Sequence, residues 1–88
     1  MYQRTTIVKN ETGIHARPAS QVVKCAKQFQ SSVFIGRADD TRLVDAKSIV
    51  MLLTLALSQE THIKIQAEGA DEQLAVDTLI SLIDGFTE

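Results

Sequence analysis

Residues 61–69 read THIKIQAEG, and within them Ile63, Ile65 and Ala67 alternate with His62, Lys64, Gln66 and Glu68. Successive side chains of a strand point to opposite faces, so this stretch has one apolar side and one wet side. A strand of that kind belongs in a sheet covered on one face only. The rest of the chain must supply the cover.

Two segments have the spacing to do so. From Ala16 to Phe29, the residues Ala19, Val22, Val23 and Ala26 fall at i, i+3, i+4 and i+7, one stripe of a helix, with Arg17, Gln21, Lys24 and Gln28 opposite. Val76, Leu79, Ile80 and Ile83 repeat such a stripe near the end of the chain. Asp71 and Glu72 are expected in that helix's first turn, where carboxylates complement the helix dipole, and Gly85 is expected to stop it. Between the two lies SIVMLLTLAL, residues 48–57, too uniformly apolar to show a stripe. Ser48 stands where an N-cap would, so a short helix is expected there, with Leu52, Leu55 and Leu57 in the core. Further strands are expected at residues 3–8 (QRTTIV) and, as a hairpin around RADD, at 33–35 and 42–44. Asn10 and Gly13, in KNETG, supply the turn that ends the first strand. The order strand, helix, strand, strand, short helix, strand, helix suits a sheet with helices on one face, an α+β fold.

A length of 88 residues is that of one domain with one modest core. Nine Lys and Arg against eleven Asp and Glu leave a net charge of -2, which gives no broad basic field and makes nucleic acid an unfavoured partner. Cys25 is the single cysteine, so no internal disulfide can form, no metal cluster is suggested, and a reducing compartment such as the cytoplasm is expected. No apolar run is long enough for export or for crossing a bilayer. The glycosylation pattern NET at residues 10–12 has meaning only in a secreted chain and is taken as chance.

The stretch TGIHARPAS, residues 12–20, puts His15 at the start of the first helix, with Arg17 and Pro18 directly behind it. The first amides of a helix lack intrahelical partners and carry partial positive charge, so such a place attracts anions, phosphate above all. Pro18 fits in the first turn, where its missing N–H is no loss. The same positive end opposes an imidazolium, by about 0.3–1 kcal/mol when exposed, and leaves a neutral, nucleophilic imidazole. Arg17 offers a guanidinium fork for phosphoryl oxygens. A histidine that accepts a phosphoryl group and readily gives it up fits these residues. A surface histidine or a cap is the plain alternative.

The sequence goes further than four residues. TGIHARPA (12–19), AKSI (46–49), LTLALSQ (53–59) and AEGADEQLAV (67–76) follow in the order and approximate spacing of HPr, the histidine-containing phosphocarrier family of the bacterial phosphoenolpyruvate-dependent sugar phosphotransferase system, and the chain resembles that family over essentially its whole length, residues 1–88. The resemblance implies an open-faced β-sandwich with a four-stranded antiparallel sheet and three helices on one face. It implies that His15 takes a phosphoryl group on Nδ1 from phosphorylated Enzyme I and passes it to sugar-specific IIA proteins, with Arg17 and Pro18 as the neighbouring site residues and without a cofactor or metal. Ser48 resembles the serine that an ATP-dependent HPr kinase/phosphorylase modifies in many members, for reading by a catabolite-control transcription factor; a plain helix cap is the alternative. The exposed part of Ile49, Val50, Met51 and Leu53, with Ala16 and Ser20, is the implied partner surface. Arg17, Lys24 and Lys27 would rim it with positive charge, although three cations on a helix face are also ordinary. A monomer is expected.

Three places depart from the family pattern: Met51, where glycine or lysine is common; Glu60, at a turn position commonly glycine; and the 36–42 turn, about two residues longer than usual. Cys25 reads most simply as a small helix residue and His62 as a wet-face strand residue. Two other readings keep the fold: a regulatory HPr-like protein acting through phosphorylated Ser48, and a carrier of a nitrogen-related phosphotransfer branch. An enzyme of another class would need a second acid-base group or a metal set, and the sequence offers neither.

Overall fold

A computed structural model describes residues 1–87 as β1 (Tyr2–Ile7), α1 (Ala16–Ala26), β2 (Ser32–Arg37), β3 (Val44–Asp45), α2 (Ile49–Leu53), β4 (His62–Glu68) and α3 (Glu72–Asp84). The strands form one antiparallel sheet in the order β1-β4-β2-β3. All three helices lie on one face, α3 across β1, β4 and β2, with α1 beside α3 and α2 between α1 and β3. This is the expected α+β open-faced sandwich.

Register explains which side is covered. Arg4 pairs with Ile65, Thr6 with Ile63 and Val33 with Ala67, so these positions share the helix-side face. Ile63, Ile65, Ala67, Val33 and Ile35 are buried there against Val22, Ala26, Val76, Leu79 and Ile83 in one apolar core. The polar side chains that β1 places on that face bind α3 at its rim: the Tyr2 hydroxyl and the Arg4 guanidinium donate to Asp77, and the Thr6 hydroxyl donates to Asp84. Gln3, Thr5, Phe34, Lys64 and Gln66 occupy the other face, which no helix covers.

Several boundaries differ from the pattern in the sequence. α1 ends at Ala26 instead of Phe29, because Gln28 and Phe29 N–H turn back to the carbonyls of Cys25 and Ala26 and tighten the last turn. β3 covers only residues 44–45, since the Arg42 N–H is taken by the Asp40 carboxylate before the ladder begins. Asp71 stands at the N-cap of α3, outside the first turn, and its carboxylate reaches away to the α1–β2 connection. Ser48 does cap α2, accepting the Met51 N–H at 3.4 Å. Leu52, Leu55 and Leu57 are buried as expected.

Candidate functional site

Of the three helix starts, that of α1 is built differently. His15 occupies its N-cap in extended conformation, but the ring makes no capping bond, and the first turn carries no acidic residue. α2 begins with the capping hydroxyl of Ser48, and α3 has Glu72 in its first turn. Pro18 brings no N–H, and the ladder starts with Ala19 donating to the His15 carbonyl at 2.7 Å. The positive end of α1 is thus left without a carboxylate of its own, which is the condition for receiving an outside anion.

The segment before His15 is held from two sides. Gly13, at φ +69, lies so close to the 57–58 backbone that a Cβ there would stand 2.4 Å from the Leu57 oxygen. That same oxygen accepts the Ile14 N–H at 2.8 Å, and buried Asn10 donates its side-chain amide to the Gly13 carbonyl at 2.7 Å. Ile14 is buried at 4% exposure, so the chain is anchored one residue before an exposed His15. The ring borders a pocket of about 260 Å³ lined by Ile14, Leu53, Ala56, Leu57 and Ser58.

Arg17 is exposed in the first turn of α1, with Pro18 buried beneath it and Ala16 and Ser20 exposed on either side. Lys24 and Lys27 are exposed in the last turn and at the C-cap. At a rise of about 1.5 Å per residue they lie about 14 and about 18 Å along the axis from His15, so any basic rim runs the length of the helix. On α2, Leu52 is buried while Ile49, Val50, Met51 and Leu53 remain 37–69% exposed. Leu53 reaches the His15 pocket. A five-residue helix does not stand alone in water, and Leu52 with the Ser48 cap ties it down, leaving an apolar patch outward. Cys25 is half-buried, and burial pushes its thiol above the ordinary range. His62 lies on the uncovered face of the sheet, in a hollow lined by residues 37–39 and 59–61, and does not line the pocket beside His15. Among the described residues no three His, Cys, Asp or Glu side chains approach closely enough to hold a metal, and no helix is long and apolar enough to cross a membrane.

Sequence patterns had not marked two further groups. Arg37 donates to the Leu55 and Ala56 carbonyls at 3.2 and 3.3 Å, and Arg42 donates to the Thr54 hydroxyl at 2.7 Å, so the β2–β3 connection braces the loop that lines the pocket. Ala56 in that loop has φ 51, a left-handed conformation unusual for a residue with a Cβ.

Comparison with known proteins places this geometry in context. The family model of the PTS HPr component phosphorylation site matches residues 2–84. The phosphocarrier protein HPr of Borreliella burgdorferi is 41% identical over 88 residues, covering 100% of both chains. The crystal structure of HPr-C-His from Thermoanaerobacter tengcongensis superposes with a TM-score of 0.88 at 40% identity, over 96% of this chain and 92% of that one. That of Crh, the Bacillus subtilis catabolite repression protein, described as a swapped-domain dimer, gives 0.75 at 38% identity over 100% and 99%.

Proposed function

Because the chain belongs to the HPr family of phosphocarrier proteins, we propose that His15 accepts a phosphoryl group from phosphorylated Enzyme I and delivers it to sugar-specific IIA proteins. The observation that carries this reading is the exposed imidazole at a helix start that has neither a side-chain cap nor a carboxylate. An imidazole nitrogen, Nδ1, attacks phosphorus as the bond between phosphorus and the donor group of Enzyme I breaks. The donor group leaves with the pair of electrons and takes up the proton displaced from His15. The P–N bond so formed is broken in the same way when an acceptor on a IIA protein attacks, as a carrier requires. The amides of the first turn and the Arg17 guanidinium steady the phosphoryl oxygens, and Pro18 stiffens that turn.

Ile49, Val50, Met51 and Leu53, with Ala16 and Ser20, form the surface on which Enzyme I and the IIA proteins dock, and Arg17, Lys24 and Lys27 steer acidic partners toward it. We read residues 1–88 as one HPr domain, monomeric and cytoplasmic. Incubation with Enzyme I and phosphoenolpyruvate should yield an acid-labile, base-stable adduct that His15→Ala abolishes. A protein that gains no adduct would overturn the reading.

A second reading rests on the half-exposed hydroxyl of Ser48, which begins α2 beside the apolar patch. Phosphorylation there by HPr kinase/phosphorylase adds about -1.5 to -2 charge next to that patch, weakening carrier docking and creating a mark for a catabolite-control transcription factor. Treatment with the kinase and ATP tests it, and an unmodified Ser48 removes its basis. Comparing the rates with which sugar-branch and nitrogen-branch Enzyme I paralogues phosphorylate the chain separates the two transfer systems.

A further inference from the structure

We propose that Arg37 is a positioning residue for the His15 site, holding the 55–56 backbone, left-handed at Ala56, so that the wall of the pocket beside His15 keeps its shape; this rests on the carrier reading above. After Leu53 the chain reverses through tight bonds, Thr54 N–H to Met51, Leu55 N–H to Leu52 and Ala56 N–H to Leu53. The turn projects the Leu55 and Ala56 carbonyls past the end of α2, where no helical N–H can meet them. The Arg37 guanidinium meets both with one nitrogen.

Ala56 needs such support. Its φ of 51 is disfavoured by its own Cβ, so the conformation persists only where the surroundings impose it. Arg37 ends β2 and pairs with Ile63 in the sheet, which makes it a rigid post for the loop. Arg42 on Thr54 is the second brace, and Asp39 lies 4.0 Å from the Arg37 guanidinium on its other side. From Ala56 the path to the chemistry is one residue long at each step. Leu57 follows, its oxygen receives the Ile14 N–H, and His15 comes next. A loop that relaxes at 55–56 carries the Leu57 oxygen with it and releases the anchor beneath the imidazole.

Phosphoramidate tests this without a docking partner, because it transfers its phosphoryl group directly to imidazole, with ammonia leaving and taking up the displaced proton. Arg37→Ala should react with phosphoramidate about tenfold more slowly than the unaltered protein. Amide NMR shifts of Ile14, His15 and residues 54–57 should move together, while the far-ultraviolet circular dichroism stays the same. Arg37→Lys, which keeps a donor in reach, should recover most of the rate. The Arg37 side chain is 38% exposed, so its removal leaves the core in place. An Arg37→Ala protein reacting at the unaltered rate, or slowed with those amides unmoved, would overturn the proposal alone. An unaltered protein that takes no phosphoryl group from phosphoramidate or Enzyme I would overturn the carrier reading and this proposal with it.

Discussion

The Asp71 carboxylate accepts the Ser31 N–H at 2.9 Å across 40 positions of sequence, and it also receives the Ser31 hydroxyl and the Gln30 N–H. One side chain thereby fastens the α1–β2 connection to the start of α3. The Ser31 hydroxyl foremost, and then the Gln30 amide, hold the Asp71 carboxyl below the usual carboxylate range. A depressed folded value means that the stabilisation is complete above the unfolded value near 3.8 and fades as pH falls through the folded one. Thermal melts of the protein and of Asp71→Asn should therefore lie apart at about pH 7 and converge below about pH 4. A gap that persists unchanged into acid would contradict the assignment.

Gly13 and Glu60 both have positive φ, yet substitution should act on them in opposite senses. Gly13→Ala places a Cβ against the Leu57 oxygen in a left-handed backbone and should cost about 2 kcal/mol or more in urea unfolding. Glu60, at φ 73, already carries the penalty, so Glu60→Gly should raise stability by about 0.5–1 kcal/mol.

Two neighbours on α2 separate packing from docking. Leu52 is 1% exposed and Val50 69%. Leu52→Ala should lose about 2–5 kcal/mol, whereas Val50→Glu should stay within about 0.5 kcal/mol of the parent. On the partner-surface reading, Val50→Glu should slow phosphorylation by Enzyme I at low concentration and leave the phosphoramidate reaction unchanged. Equal rates from Enzyme I would remove Val50 from the docking surface.

Ser48→Ala measures how much of that residue is structural. The cap bond is long at 3.4 Å, so its loss should cost about 0.5 kcal/mol, the lower end for N-cap removal. A loss of about 2 kcal/mol would mark the hydroxyl as chiefly a cap.

The elements that could be read from sequence are those whose signal is local. The alternation of Ile63, Ile65 and Ala67 and the stripe of Ala19, Val22, Val23 and Ala26 depend on spacings of two and of three to four residues, and both are buried as those spacings require. The place of His15 at a helix start was legible too, because Gly13 and Pro18 are turn and first-turn residues by their backbone chemistry. What escaped is made of long-range bonds. Asp71 looked like a dipole residue, and nothing near it in sequence points to Ser31. Arg37 and Arg42 looked like hairpin polarity, and their acceptors lie 12–19 positions away. No glycine stands at position 56 to advertise its left-handed turn, and Asn10 read only as a turn residue, with nothing to show that its side chain is buried at 4% exposure.

The sheet that helices cover on one side only gives the molecule a back. Gln3 and Ser32 sit on that bare side, exposed, at the end of their strands remote from the loop that leads to His15. A tether or fluorophore attached through a cysteine introduced at either, with Cys25 replaced, would hold the protein by the side that no helix covers. On the carrier reading, exchange with both donor and acceptor could then be followed on a single immobilised molecule.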